Sequence, residues 1–479
     1  MVQLTEGMIE TNYIDQHQAL IKKWSNYSNK RKGRHLNFLQ EMEDPYKQAV
    51  VARLLENTER YLVTMDEAMK TINLGSFEQW MFPMVRASFQ EDIISILASV
   101  QPMSGPHSNI FYYNIVRDSD KGELVKGTRI FDANYGYQGG YHYSDEVVYK
   151  EARFTDAGSE NFTKAANLSG TYWPIRPGSV LIFDEGGLII RDDGNGALVG
   201  DIAGGTNTIN YVTGATDVTL STTVTGTLRT TYKYDSEGNE LIPKVRLELD
   251  QQLVRAEPRN LQVAYSHKTV ADFRAQFGGD ADAELVVSMS ETVTAEIVRE
   301  LIAYMVDNAT AGNVVFNRNT GGYFAYKWHK EGLIGAIIEA SDLVYASTQQ
   351  IQPNFVVCGT NVLSILRDIG SPRFIPDPSF GTKSTAGPTL AGKIDGQWDV
   401  VVDPQMPDVG GGTNANRFLV GYRGPGFLKA GLVYAPYIPF YTSPPLVQPY
   451  GETQRGIWSE YAKLIVASNF FATGEVVNV

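Results

Sequence analysis

Only one of the 479 residues is cysteine. A disulfide within the chain is therefore impossible, and so is a cysteine-based zinc site. Cys358 sits in Asn354-Phe-Val-Val-Cys358-Gly, which reads as a buried strand ending at a glycine. A thiol placed there is expected to behave as a small inert hydrophobe. Excess positive charge is missing too: 41 Lys and Arg stand against 54 Asp and Glu, a formal charge of -13. A protein that grips nucleic acid carries a basic footprint, and this chain does not. No run approaches the ~18–20 apolar residues of a membrane span. The start, MVQLTEGMIETNY, has no basic segment leading into an apolar one, and no lipidation signal occurs. The product is expected to stay in the cell that makes it.

Signatures of catalysis and of cofactors are equally scarce. His17, His35, His107, His142, His267 and His329 are scattered, with no HExxH or HxH pair. There is no GxxxxGK[ST] phosphate loop and no GxSxG elbow. Gly194-Asn-Gly196-Ala-Leu-Val-Gly200 approaches a dinucleotide loop, but its last glycine comes one residue late, so it reads as a hairpin turn. Asp192-Asp193-Gly194-Asn195 offers oxygen ligands without the spacing or trailing Glu of a calcium loop. The expectation is a chain with no catalytic residue, no metal and no cofactor.

What is present is organised for shape. Residues 1 to about 43 are polar and read as a solvated arm with a basic run, Lys30-Arg31-Lys32-Gly33-Arg34. Asp44-Pro45 is a helix start, Asp as N-cap and Pro in the first turn. Val51, Leu54, Leu55, Tyr61, Leu62, Met65 and Met69 follow on one face. After the apolar run Ile93–Val100 comes Gln101-Pro-Met-Ser-Gly-Pro106, a fixed turn, then Ile110-Phe-Tyr-Tyr-Asn-Ile-Val116, a strand. Residues 118 to about 175, rich in Gly, Tyr and Asp, read as a loosely regular excursion. From 178 to 236 short strands recur between turn signals such as Asp193-Gly194 and Gly204-Gly205, which marks a small inserted all-β module. Helical periodicity is read again from about 260, with a long helix at 280–308 and a second at about 330–345. Strands and Gly/Pro turns dominate 354–440, and 456–471 reads as closing strands.

Three segments together resemble the major capsid protein family of T-even-like tailed phages. The first is Val85 to Pro106, with its Val100-Gln-Pro-Met103 turn. The second is Arg259-Asn-Leu-Gln-Val-Ala-Tyr-Ser266, continuing to Asp280-Ala-Asp-Ala-Glu-Leu285. The third is Val420-Gly-Tyr-Arg-Gly-Pro425 with Ala430-Gly-Leu-Val-Tyr-Ala-Pro-Tyr-Ile-Pro439. They stand in the family's order and span well over half the chain. The resemblance implies an α+β Hong Kong 97-type capsid fold. Residues 1–80 would be an N-terminal arm with a helix. Residues 81–117 and 256–349 would be a peripheral domain with its spine helix at 280–308, residues 350–440 an axial domain, and residues 441–479 the peripheral domain's closing strands. Residues 118–255 would be the extended loop, carrying the β module at 178–236, whose sequence does not match the T-even insertion. The strand at 110–116 and the closing strands would share one sheet.

The implied function is a major capsid protein forming hexameric capsomers of an icosahedral head around double-stranded DNA, without sequence-specific binding. The alternative is a vertex paralogue or a decoration protein of the same virion. Implied partners are other copies of the chain and the vertex, portal, scaffold and decoration proteins; a membrane is not among them. The implied location is the virion capsid, assembled in the host cytoplasm. Gly105 and Pro106 are the candidates for fixing the turn into the first strand, and Arg423 and Tyr434 for contacts near the capsomer axis. Leu4-Thr5-Glu6 before Gly7 matches the family's processing pattern, but the segment the family removes is far longer, so cleavage between Glu6 and Gly7 is not expected. A glycan-binding or hydrolytic role for the β module would call for exposed tryptophans, and residues 178–236 contain none.

Overall fold

The Asp44 carboxylate accepts the Tyr46 backbone N–H at 2.9 Å, and its carbonyl accepts that of Gln48 at 3.0 Å. This N-cap starts helix α2 (Pro45–Ala68), which follows α1 (Val2–Ser25). The structure, a computed structural model, describes residues 2–25, 39, 44–68, 92–132, 136–137, 142–154, 161–164, 172–222, 224, 226–237, 242–277, 281–318, 329–378, 380, 387–424, 431–443, 445–448 and 451–478. The basic run Lys30–Arg34, the segment 85–91 and Pro425 to Ala430 lie outside these residues. The chain divides into two units: 1–112, 133–136 and 251–479 form the first, and 113–132 with 137–250 the second.

In the first unit α1 takes up residues 2–25 of the stretch 1–43 read as a solvated arm, and most of the rest of that stretch lies outside the described residues. The sequence of α1 has little apolar periodicity, and what holds the helix is tertiary. Trp24 is fully buried beside Val50, Val51, Leu54 and Leu55 of α2. The Lys23 ammonium bonds to Glu56 at 2.7 Å and also to Glu59. Burial works against both partners, but the pairing wins, holding Lys23 above and Glu56 below its ordinary value.

Helix α3 (Asp92–Leu97) leads into Ser99–Val100, which runs parallel to Leu432–Thr442. That strand pairs antiparallel with Glu452–Ile465, which also pairs with Glu257–Ser266 and Leu446–Val447. The region read as helical from about 260 is thus a strand up to Ser266. Leu261, Val263 and Tyr265 alternate at the period of two that a strand requires. Helix α4 (His267–Phe277) begins only after it. Helix α5 (Ala281–Asp307), expected at 280–308, buries Val293, Ile297, Leu301, Ile302 and Met305 in the same core as α2.

Seven strands make a second sheet in this unit. Their order is Asn313–Asn317, Phe471–Val477, Arg417–Gly421, Phe355–Cys358, Trp398–Val402, Thr389–Ile394 and Phe374–Pro376. Helices α6 (Gly332–Thr348) and α7 (Thr360–Ile369) share its core through Leu333, Ile337, Val362 and Leu366. Cys358 is fully buried there, and burial pushes its thiol up to about 12. Members of this sheet come from the 256–349, 350–440 and 441–479 segments, while Leu432–Thr442 belongs to the other sheet.

The second unit holds the β module, and the module is larger than 178–236. Its five-stranded sheet runs Val147–Phe154, Leu228–Lys233, Leu181–Phe183, Ile189–Asp192, Leu198–Gly200. A three-stranded sheet adds Thr208–Ile209, Thr216–Thr219 and Asn161–Lys164. Two strands therefore come from the stretch read as a loose excursion. Val148, Ile182, Ile190, Leu198, Val218, Leu228 and Tyr232 close one apolar core. The Lys121 side chain is buried beside it. Its ammonium donates to the carbonyls of Tyr143, at 3.1 Å, and Asp145, and faces the rings of Tyr172 and Tyr234.

His107–Arg117 pairs with Arg129–Asp132 and Val245–Arg255, not with the closing strands as expected. Strand partners are set by contacts distant in sequence, which local pattern does not encode.

Candidate assembly surfaces

The strand Val245–Arg255 inverts the usual arrangement of a half-buried strand. Alternate side chains point to opposite faces. On one face Val245, Leu247, Leu249 and Leu253 are 59%, 68%, 68% and 67% exposed. On the other, polar groups are engaged. Arg246 pairs with Glu248 at 2.5 Å and with Asp118 at 3.6 Å. Asp250 accepts Asn114 at 2.6 Å and meets Arg129 at 3.4 Å. The polar side is used within the sheet and the apolar side is bare. Burying the exposed two-thirds of these four side chains would release roughly 4–8 kcal/mol, before the costs of association.

The turn Gln101–Pro106 is held by strand pairing. Gln101 N–H donates to Tyr434 O at 2.9 Å, and Met103 N–H to Pro436 O at 3.0 Å. Pro106 is exposed, and its carbonyl accepts Ala256 N–H at 2.9 Å. Gly105 has a single atom near its missing Cβ, His107 O at 3.8 Å, and its backbone does not require glycine. Met103 is buried, and Asn57 of α2 donates to its carbonyl at 2.7 Å and to Tyr437 O at 3.3 Å. Sequence reasoning missed Asn57. The available signal was a polar residue inside the apolar stripe of α2.

Arg423 is half-buried, in the turn after Arg417–Gly421. The Asn354 side chain grips its backbone, accepting its N–H at 2.9 Å and donating to its carbonyl at 2.7 Å. Tyr434 is 4% exposed, its ring 5.3 Å from that of Tyr461, and burial raises its hydroxyl above the ordinary range. Tyr434, a candidate for a contact near the capsomer axis, is thus packed inside this chain. Glu6 and Gly7 lie inside α1.

A charged cleft of 390 Å³ is lined by Arg255, Glu257, Arg259, Glu300, Tyr304 and Lys463, among others. Glu300 of α5 accepts from Arg259, Tyr461 and Lys463, tying helix to sheet. Its charges are largely spent on one another. Among the described residues no group of His, Cys, Asp and Glu could hold a metal ion, and no helix is long and apolar enough to cross a membrane.

The family model of the major capsid protein Gp23 matches residues 74–478. The major capsid protein of Vibrio phage KVP40 is 25% identical over 381 residues, covering 74% of this chain and 70% of that protein. That of Enterobacteria phage T6 is 27% identical over 208 residues, 40% of each chain. That of Enterobacteria phage T4 is 27% identical over 208 residues, 40% of this chain and 39% of the other. The chain thus spans about two-fifths of the length of the T6 and T4 relatives. Among solved structures, the capsid of Myoviridae phage XM1 is similar with a TM-score of 0.35 at 10% identity, covering 51% of this chain and 81% of that one. The capsid of cyanophage P-SCSP1u also gives 0.35 at 10% identity, over 68% and 93%.

Proposed function

The chain belongs to the major capsid protein Gp23 family, which makes it a major capsid protein of a tailed phage, and from this premise we propose how it builds a shell. The subunits join as hexameric capsomers of an icosahedral head that encloses double-stranded DNA without reading its sequence. The fold is of the Hong Kong 97 type: α5 is the spine helix, residues 350–440 the axial domain, and residues 118–255 the extended loop with its inserted module. Membership in a family of major capsid proteins does not favour the vertex or decoration alternative. The chain works by contact, not catalysis.

The observation that carries this reading is the bare face of Val245, Leu247, Leu249 and Leu253. A monomer gains nothing from such a stripe and risks aggregation by it. A second copy laid across it removes the stripe from water, and contacts of this kind repeated around symmetry axes close a shell. The net charge of -13 suits a container that must not hold its contents tightly. Arg423 is proposed to lie near the capsomer axis, and vertex, portal, scaffold and decoration proteins are the further partners. The test is negative-stain electron microscopy of the chain expressed with and without its phage's scaffold and protease. Shells, tubes or hexameric rings are expected. A monodisperse monomer under every condition would reject self-assembly.

A further inference from the structure

Where α2 meets the strands Leu432–Thr442 and Glu452–Ile465, aromatic rings gather. The Tyr61 ring stands edge-on to Tyr441 at 5.2 Å and to Trp458 at 5.6 Å, and Tyr441 lies 4.1 Å from Trp458. Tyr437 adjoins them, and Tyr61, Tyr437 and Trp458 are each partly open to solvent. Two residues after Trp458, on the same face of the strand, comes Glu460.

Glu460 is half-buried. Among the described residues no hydrogen bond and no ion pair reaches its carboxylate, whereas Glu56 is held by Lys23 and Glu300 by Lys463. Burial raises its carboxyl above the ordinary range, and its charge in turn helps raise the Tyr61 hydroxyl, whose largest cause is burial. A partly desolvated carboxylate without a partner is a cost that a folded chain seldom carries for nothing.

We propose that Glu460, with the faces of Tyr61, Tyr437 and Trp458, is a receptor site for a cationic side chain, a guanidinium or an ammonium, of a second copy of this chain. The chemistry selects a cation twice over, through the carboxylate and through the negative faces of the rings. An anionic or apolar side chain would leave the carboxylate unpaired. The occupant is a second copy because this family's work is association with itself, and because each copy offers exposed cations that hold no ion pair among the described residues, such as Lys268 and Arg274 on α4. The inference rests on the capsid reading and adds to it a second, polar contact apart from the apolar stripe.

The test compares assembly of the wild type with that of Glu460→Gln over a range of salt, and measures the melting of unassembled subunits. In the variant, the subunit concentration needed for shells should rise about tenfold at low salt, with the gap closing as salt is added. The unassembled subunit should melt at the same or a higher temperature, because an unpaired half-buried charge has been removed. A merely structural role for Glu460 would lower subunit melting and assembly together. Glu460→Lys, which places like charge before the incoming cation, should abolish shells while leaving soluble subunits. Assembly of Glu460→Gln equal to wild type at every salt concentration would overturn the inference. Failure of the wild type itself to assemble would overturn the capsid reading and this inference with it, so the two failures are read in different samples.

Discussion

The β module and the strand Val245–Arg255 use one sequence device to opposite ends. Both alternate apolar and polar residues at a period of two. In the module Ile182, Ile190, Leu198 and Leu228 are at most 3% exposed, because two sheets close over them. In the strand Val245, Leu247 and Leu249 are more than half exposed, because nothing in the described chain covers that face. Alternation therefore tells which residues share a face but not whether that face has a lid. A fold that is complete within one chain supplies the lid itself. A fold that is completed by its neighbours leaves it out.

The contrast can be broken most severely at the open face. Leu247→Asp with Leu249→Asp should abolish shells seen by electron microscopy while leaving the subunit soluble and its melting temperature close to wild type. Equal loss of subunit stability would mean that the face is covered within the chain after all. The closed face should respond the other way. Ile190→Ala removes a fully buried side chain and should cost ~2–5 kcal/mol within the module, read as faster amide exchange over residues 178–236. A control outside both regions sharpens the comparison: Asp44→Ala deletes the N-cap of α2 and should cost ~0.5–2 kcal/mol in denaturant unfolding. The smallest effect expected is a pH effect. Pairing with Lys23 holds Glu56 below the ordinary range of a glutamate in the folded chain, so the pair stabilises at neutral pH. That contribution should fade as pH falls from about 4.5 through the depressed folded value, and amide exchange of α1 should quicken there before that of α5. Simultaneous opening of the two helices would contradict it.

Elements with local signals were legible in the sequence. The N-cap at Asp44, the helix now bounded by Ala281 and Asp307, the helix Gly332–Thr348 and the buried strand at Cys358 all lie close to where periodicity and turn residues placed them. Elements held by distant partners were not. Helix α1 depends on Trp24 and on carboxylates 33 and 36 residues away. Asn161–Lys164 is a strand because Thr216–Thr219 pairs with it. The candidate surfaces divide in the same manner. The Gln101–Pro106 turn could be seen as a turn, but its grip on Tyr434 and Pro436 could not. The apolar residues of Val245–Arg255 were visible as letters, whereas their exposure depends on which strand lies beside them and which does not.

The base of the β module has its own consequence. Val147 and Lys233 are cross-strand partners, and Tyr234 N–H donates to Glu146 O at 3.1 Å. The chain thus leaves for an excursion of more than eighty residues and returns to within one strand spacing, about 5 Å, of where it left. Closing that gap costs nearly the same whatever hangs from it, since loop entropy grows only with the logarithm of length. The module is therefore a cassette. A domain whose termini lie side by side fits the same opening, which would turn a shell subunit into a carrier for foreign cargo on a regular lattice.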